Sequence, residues 1–253
     1  MQEPKIRKQQ GMDGLKPKIH KLLVPPGLPN HPGRDLLAID YITIHETGNT
    51  SKTADAHAHA RFQYRGGGGR QASWHYTVDE NEIWQSFLDR QMCWHTGSQR
   101  GNQRSIGIEI CVNCPSGFLQ ACFNTMTLVA WLKAVYGLKK GKILQHNHWS
   151  GKNCPEIIRR GTEGINWQSF LEGVKNLDFA AKTADSHGVI LALVAAGVSF
   201  DIVHWRKVFE GRIPANRDWF EILCRRAIYS KWPEIAEDPK ILSGILMGIL
   251  GEA

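Results

Sequence analysis

The chain has 253 residues, 42% of them apolar and 22% charged, a balance that excludes a disordered polymer and fits a folded domain with room for a smaller module. No run of about 18 apolar residues occurs, so no transmembrane segment is expected. The first ten residues are charged with no apolar stretch behind them, so they do not read as a secretory signal. The net charge of +7 is lopsided: residues 177–253 hold nine Lys/Arg and ten Asp/Glu, so the first 176 hold 22 and 14. A basic front suggests a polyanionic partner, either nucleic acid or an anionic wall polymer. Nucleic acid ranks low because no aromatic-interleaved basic motif accompanies the charge.

Residues 1–34 are basic, then rich in Pro and Gly, and read as an arm leading into the domain. Leu36 to Glu46 is β-branched and apolar, and is expected to be a buried strand ending near His45. Thr53 to Tyr64 reads as a helix with Thr53 as its cap, its His57 and His59 facing solvent. The four glycines 66–69 can only be a loop, one that sits beside a site if a site is near. Ser73 to Val78 and Glu82 to Phe87 alternate around Asp79-Glu80-Asn81 and suggest a hairpin. Ser105 to Val112 is a second buried strand, Phe118 to Tyr136 a helix ending at Gly137, and Ile165 to Leu177 another helix. Strands interleaved with helices give an α/β fold, a central mixed β-sheet flanked by helices, with its site at strand ends. After Thr183 the pattern turns wholly helical, so residues 184–253 are expected to form a small all-helical module behind a domain spanning 35–177.

Three stretches carry chemistry. Residues 145–155, Gln-His-Asn-His-Trp-Ser-Gly-Lys-Asn-Cys-Pro, bring His146, Lys152 and Cys154 into one short polar loop. Imidazole and thiolate are both good zinc ligands, and the lysine can set a positive charge beside a metal. Glu109 lies in the middle of an apolar run, where a carboxylate is costly unless paired or near a metal, and is the strongest general-base candidate. His45 closes an apolar strand and is equally conspicuous. The remaining cysteines (93, 111, 114, 122 and 224) follow no secreted disulfide framework and read as free thiols. Cys111-Val-Asn-Cys114 lacks a partner pair and reads as structural.

Together these residues resemble the type 2 N-acetylmuramoyl-L-alanine amidases, the superfamily of phage lysozyme amidases and peptidoglycan-recognition proteins. The matching segments are Tyr-Ile-Thr-Ile-His-Glu-Thr-Gly-Asn (41–49), Ala-Ser-Trp-His-Tyr-Thr-Val-Asp (72–79), Trp-His-Thr-Gly (94–97), Ser-Ile-Gly-Ile-Glu-Ile-Cys-Val-Asn (105–113) and His-Asn-His-Trp-Ser-Gly-Lys-Asn-Cys-Pro (146–155). The resemblance implies a Zn2+ ion held by His45, His146 and Cys154, with the fourth position open. It implies that Glu109 works as general base and Lys152 as oxyanion stabiliser on the amide between N-acetylmuramic acid and L-alanine. Trp94, His95, Trp74 and Thr47 are expected to line the substrate cleft, and His75 to be structural. Where many relatives carry an acidic residue this chain has His148, which is expected at the surface or behind the ligands. Gln145 replaces a common arginine, and Trp74 a tyrosine near the metal.

The resemblance leaves two alternatives, a recognition protein that binds peptidoglycan without cutting it and a cytoplasmic amidase that recycles wall fragments. Cys154, Glu109 and Lys152 favour catalysis. An enzyme of this kind without a signal peptide would be made in the cytoplasm and reach the wall by holin-type or lysis-dependent release. The helical tail would serve wall targeting or homodimerisation, the latter through the stripe Ile241, Leu242, Ile245, Leu246, Ile249 and Leu250.

Overall fold

The computed structural model describes residues 17–180. The tail helices expected after Thr183, and with them the dimerisation stripe, lie outside the described residues, as does the basic beginning of the arm.

Six strands form one mixed sheet: β1 (His20–Lys21), β2 (Tyr41–Glu46), β3 (Tyr76–Val78), β4 (Ile83–Gln85), β5 (Ser105–Ile110) and β6 (Ile143–Gln145). Their order across the sheet is β1-β4-β3-β5-β2-β6. The pair β3–β4 is antiparallel and every other pairing is parallel. Six helices accompany the sheet among the described residues: α1 (Ala56–Tyr64), α2 (Gln99–Arg104), α3 (Phe118–Val135), α4 (His146–Ser150), α5 (Glu156–Arg160) and α6 (Trp167–Ala180). This is the flanked mixed sheet that the alternating pattern implies.

The core follows from the strand sequences. Ile42, Ile44, Ile106, Ile108 and Ile110 are all fully buried, and β2 and β5 are neighbouring interior strands. The helix α3 is apolar almost all round, and ten of its eighteen residues are buried. Length and composition alone would let it cross a membrane, but it packs against β3 and β5 as a core helix. It stops where a left-handed residue is needed, at Gly137 with φ 64°.

Several expectations are corrected. The first central strand starts at Tyr41 rather than Leu36, because β5 offers its first partner, Ser105, opposite Tyr41. Before that point the chain has no parallel neighbour to ladder with, and Leu37 is 68% exposed. The cap of α1 is Asp55, whose carboxylate accepts from the Ala58 N–H at 2.7 Å, so Thr53 lies outside the helix. Part of the arm joins the domain: His20–Lys21 pairs with β4, and Val24 packs against Phe87 and Cys93. The segment carrying His146 is no plain loop. It leaves β6 directly into α4 and turns back at Gly151.

Candidate metal centre and cleft

Parallel pairing between β2 and β5 puts His45 directly opposite Glu109, and β3 continues the row with Thr77 opposite Glu109. Side chains of one row share one sheet face. The row lies at the C-terminal ends of β2 and β5, where α/β sheets open a crevice. The third and fourth residues arrive from the neighbouring edge. The edge strand β6 pairs with β2 and hands the chain to α4, whose first residue is His146. Cys154 returns beside it because the α4 turn is pinned. Asn147 N–H donates to the Cys154 carbonyl at 3.0 Å, and the Asn147 amide donates to the Gly151 and Lys152 carbonyls at 2.9 Å. Glu46, next to His45, accepts from the N–H groups of Ile157 and Ile158 at 2.8 and 3.1 Å and so fastens the chain just after Cys154 to β2.

The result is a buried cluster. One ligand atom each from His45, His146 and Cys154 lies within 4.8 Å of the others. His45 Nδ1 is 3.0 Å from His146 Nδ1 and 4.0 Å from Cys154 Sγ. It is also 3.9 Å from Glu109 Oε1. Among the described residues this is the one His/Cys/Asp/Glu grouping with such convergence. Two imidazoles and a thiol form a donor set suited to Zn2+. A second observation fits a cation: Glu109 Oε2 is closed off from solvent with no partner in the protein, and an uncompensated buried carboxylate oxygen is costly.

Electrostatics follow from burial. With no ion beside it, desolvation pushes the Glu109 carboxyl up to about 8, against the pull of the Lys152 charge and with a smaller push from Glu46. Desolvation likewise raises the Cys154 thiol to about 12, Glu109 adding to the rise. Burial, then the neighbouring His95, His146 and Lys152, hold His45 well below the usual imidazole range. His45 is therefore neutral and keeps a lone pair for a metal, while the thiol needs a cation to ionise near neutral pH.

Around the cluster opens a cleft of about 850 Å³ whose walls include Thr47, Trp74, Trp94, His95 and Lys152. All the expected cleft residues therefore face one space with His45, Glu109 and His146. Thr47 Oγ1 is buried and unpaired. The Trp74 indole N–H is spent on Thr77 Oγ1 at 2.7 Å, leaving its ring as wall. His95 lies at the cleft but is only 9% exposed, and both of its ring nitrogens are engaged, with His45 and Ser105. His148 is exposed beside Trp149, away from the ligand set. His75 is buried between the Gly107 N–H and the Gln91 carbonyl, a structural pairing.

The assignment of His59 to the surface is corrected. His57 is exposed and stacks on Trp84, but His59 turns into the cleft, where its Nε2 is buried and unpaired. Phe62 and Arg70 line the same wall. The spacing 59–62 puts His59 and Phe62 on one face of α1 but does not say which way that face turns. The anchoring roles of Glu46 and Asn147 had no sequence signal beyond their proximity to ligands.

The parallel strand ends of a mixed α/β sheet thus carry a buried His-His-Cys cluster, with a carboxylate and a lysine on the same cleft. The chain belongs to the N-acetylmuramoyl-L-alanine amidase family, whose sequence pattern matches residues 35–157. It is 39% identical over 153 residues to the N-acetylmuramoyl-L-alanine amidase XlyA of Bacillus subtilis, covering 60% of this chain and 49% of that protein. It is 36% identical to the amidase CwlH of the same organism, covering 65% of this chain and 64% of CwlH. The chain thus spans between about half and two thirds of the length of these relatives. The solved catalytic domain of XlyA superposes with a TM-score of 0.56 at 38% identity, covering 62% of this chain and 99% of that domain. The structure of PlyL superposes at 0.54 with 27% identity, covering 62% and 96%.

Proposed function

We propose that this chain is a zinc-dependent peptidoglycan hydrolase that cleaves the amide joining N-acetylmuramic acid to the L-alanine of the stem peptide. The carrying observation is the convergence of His45, His146 and Cys154 within 4.8 Å beside Glu109, whose Oε2 is buried without a hydrogen-bond partner. In this reading those three residues hold the ion. Zinc, when bound, would polarise the scissile carbonyl, make a water acidic near neutral pH and favour the ionised form of Glu109.

The remaining work falls to the protein's own groups. Glu109 takes a proton from the attacking water and returns it to the leaving amine, a role typically worth ~10²–10⁴-fold. Its place supports this, since Glu109 Oε1 lies 3.9 Å from His45 Nδ1 at the edge of the ligand cluster. The cationic Lys152 lies on the cleft wall close enough to act on Glu109, His45 and His146, and stabilises negative charge developing on the carbonyl oxygen. The faces of Trp74 and Trp94 offer an apolar surface to sugar and peptide.

Digestion of purified bacterial wall with mass analysis of the products tests the reading. Released stem peptides with a free N-terminal L-alanine are expected, and chelation should abolish their release. New reducing sugar ends in place of those peptides would contradict it.

A further inference from the structure

The second ring nitrogen of His45 is tied to a short segment, Trp94 to Gly97. His95 makes the tie. Its Nε2 lies 3.3 Å from the Ser105 carbonyl, which only accepts, so that nitrogen carries the proton. Neutral His95 then has a bare Nδ1, and this atom is 2.9 Å from His45 Nε2. His45 must therefore donate from Nε2 and leave its Nδ1 bare. That bare Nδ1 looks toward His146 Nδ1 at 3.0 Å and Cys154 Sγ at 4.0 Å, so its lone pair is presented to the other two members of the cluster.

The segment is itself built into the fold. The Asn102 side-chain oxygen in α2 accepts from the N–H groups of His95 and Thr96 at 3.0 and 2.9 Å and from the Thr96 hydroxyl at 2.8 Å. Two glycines leave it room. A Cβ on Gly107 in β5 would stand 2.7 Å from His95 Nδ1, and one on Gly101 in α2 would stand 2.5 Å from Thr96 Oγ1. The His95 ring thus lies directly over a bare stretch of the sheet. Its position is fixed from below by glycine and from the side by Asn102.

We propose that His95, held by Asn102, is a positioning group that fixes the tautomer of His45 so that its Nδ1 lone pair is presented, beside His146 and Cys154, to one divalent cation. The proposal rests on the reading of His45, His146 and Cys154 as metal ligands. It gives His95 a different task from contact with substrate, because neither ring nitrogen is free for it. Partners that orient ligand histidines typically carry about 10–100-fold in metal affinity.

The test combines three variants with one measurement on the unaltered protein. Zinc affinity is read by competition with a chromophoric chelator, and ligand geometry by the absorption of the cobalt-substituted protein. His95→Phe keeps the ring shape but removes both nitrogens, and should weaken zinc binding about 10–100-fold and shift the cobalt spectrum. Asn102→Ala should weaken it in the same direction, whereas Asn102→Asp, which keeps the acceptor oxygen, should stay close to the unaltered protein. Long-range nitrogen–proton correlations on the metal-free chain should show His45 protonated at Nε2, which needs no variant to fold. A merely structural His95 would lower the melting temperature of His95→Phe but leave affinity and cobalt spectrum of its folded fraction unchanged. That result, or His45 protonated at Nδ1, overturns the proposal while leaving the metal site standing. Failure of the unaltered protein to bind zinc would instead overturn both.

Discussion

The cleft has two walls built on opposite principles. On the wall formed by β2, β5 and α4, the proposed ligands have neighbours that fix them: Asn147 and Glu46 hold the Cys154 segment, and His95 ties His45. On the facing wall, formed by α1 and the turn at Gly66–Gly69, the groups are loosely held. His59 Nε2 has no partner there, Phe62 is 43% exposed, and all four glycines have positive φ. A wall that does chemistry needs its atoms placed to within about half an ångström, whereas a wall that receives a substrate gains from adaptable contacts. The difference teaches that substitutions on the two walls should fail in different ways.

The largest effect should come from the fixed wall. Glu109→Ala should lower kcat by about 10²–10⁴-fold with zinc content unchanged, because it removes proton transfer without removing a ligand. Steady-state kinetics with metal analysis check this. A smaller effect concerns stability in the metal-free protein. The folded-state pKa of Glu109 is raised above its unfolded value, to about 8. Its contribution is therefore fully present below the unfolded carboxyl pKa and is lost as pH rises through about 8. Glu109→Gln, which cannot ionise, should accordingly gain stability relative to the unaltered chain as pH is raised from 5 to 8. Urea midpoints of the two chelated proteins at both pH values would show it, and a constant difference would count against the buried carboxyl.

The facing wall should respond more weakly. Arg70→Ala and Phe62→Ala should each raise KM by a few-fold, on the order of 1 kcal/mol, with kcat and zinc content little changed. A loss of kcat as large as that of Glu109→Ala would erase the distinction between the walls. His148→Ala marks the floor of the series, since that side chain is exposed and turned away from the ligands, and turnover should stay at the level of the unaltered protein.

Much of the fixed wall was legible in the sequence because its residues break local rules. A glutamate inside Ile-Gly-Ile-Glu-Ile and a histidine closing Tyr-Ile-Thr-Ile-His are costly choices unless they have a job, and parallel pairing does set them side by side. The two outer ligands were legible as a short polar segment, though its first half is a helix. Partners at long sequence separation were not legible. Glu46 reaches Ile157 and Ile158 across more than a hundred residues. Asn102 is a near neighbour of His95 in sequence, but the bend at Ser98 that joins them is announced by no periodicity. The facing wall was missed for another reason. His59 sits on a helix whose composition suggests exposure, and only the closure of the cleft around it decides that one face of α1 turns inward.

Zinc stoichiometry of purified Cys154→Ala, measured beside its turnover on wall peptidoglycan, tests the central claim most directly. The account predicts that the unaltered chain carries one zinc per molecule and that the variant loses both the metal and the release of stem peptides. A folded variant with undiminished zinc, or one that still frees L-alanine termini at the unaltered rate, would contradict it.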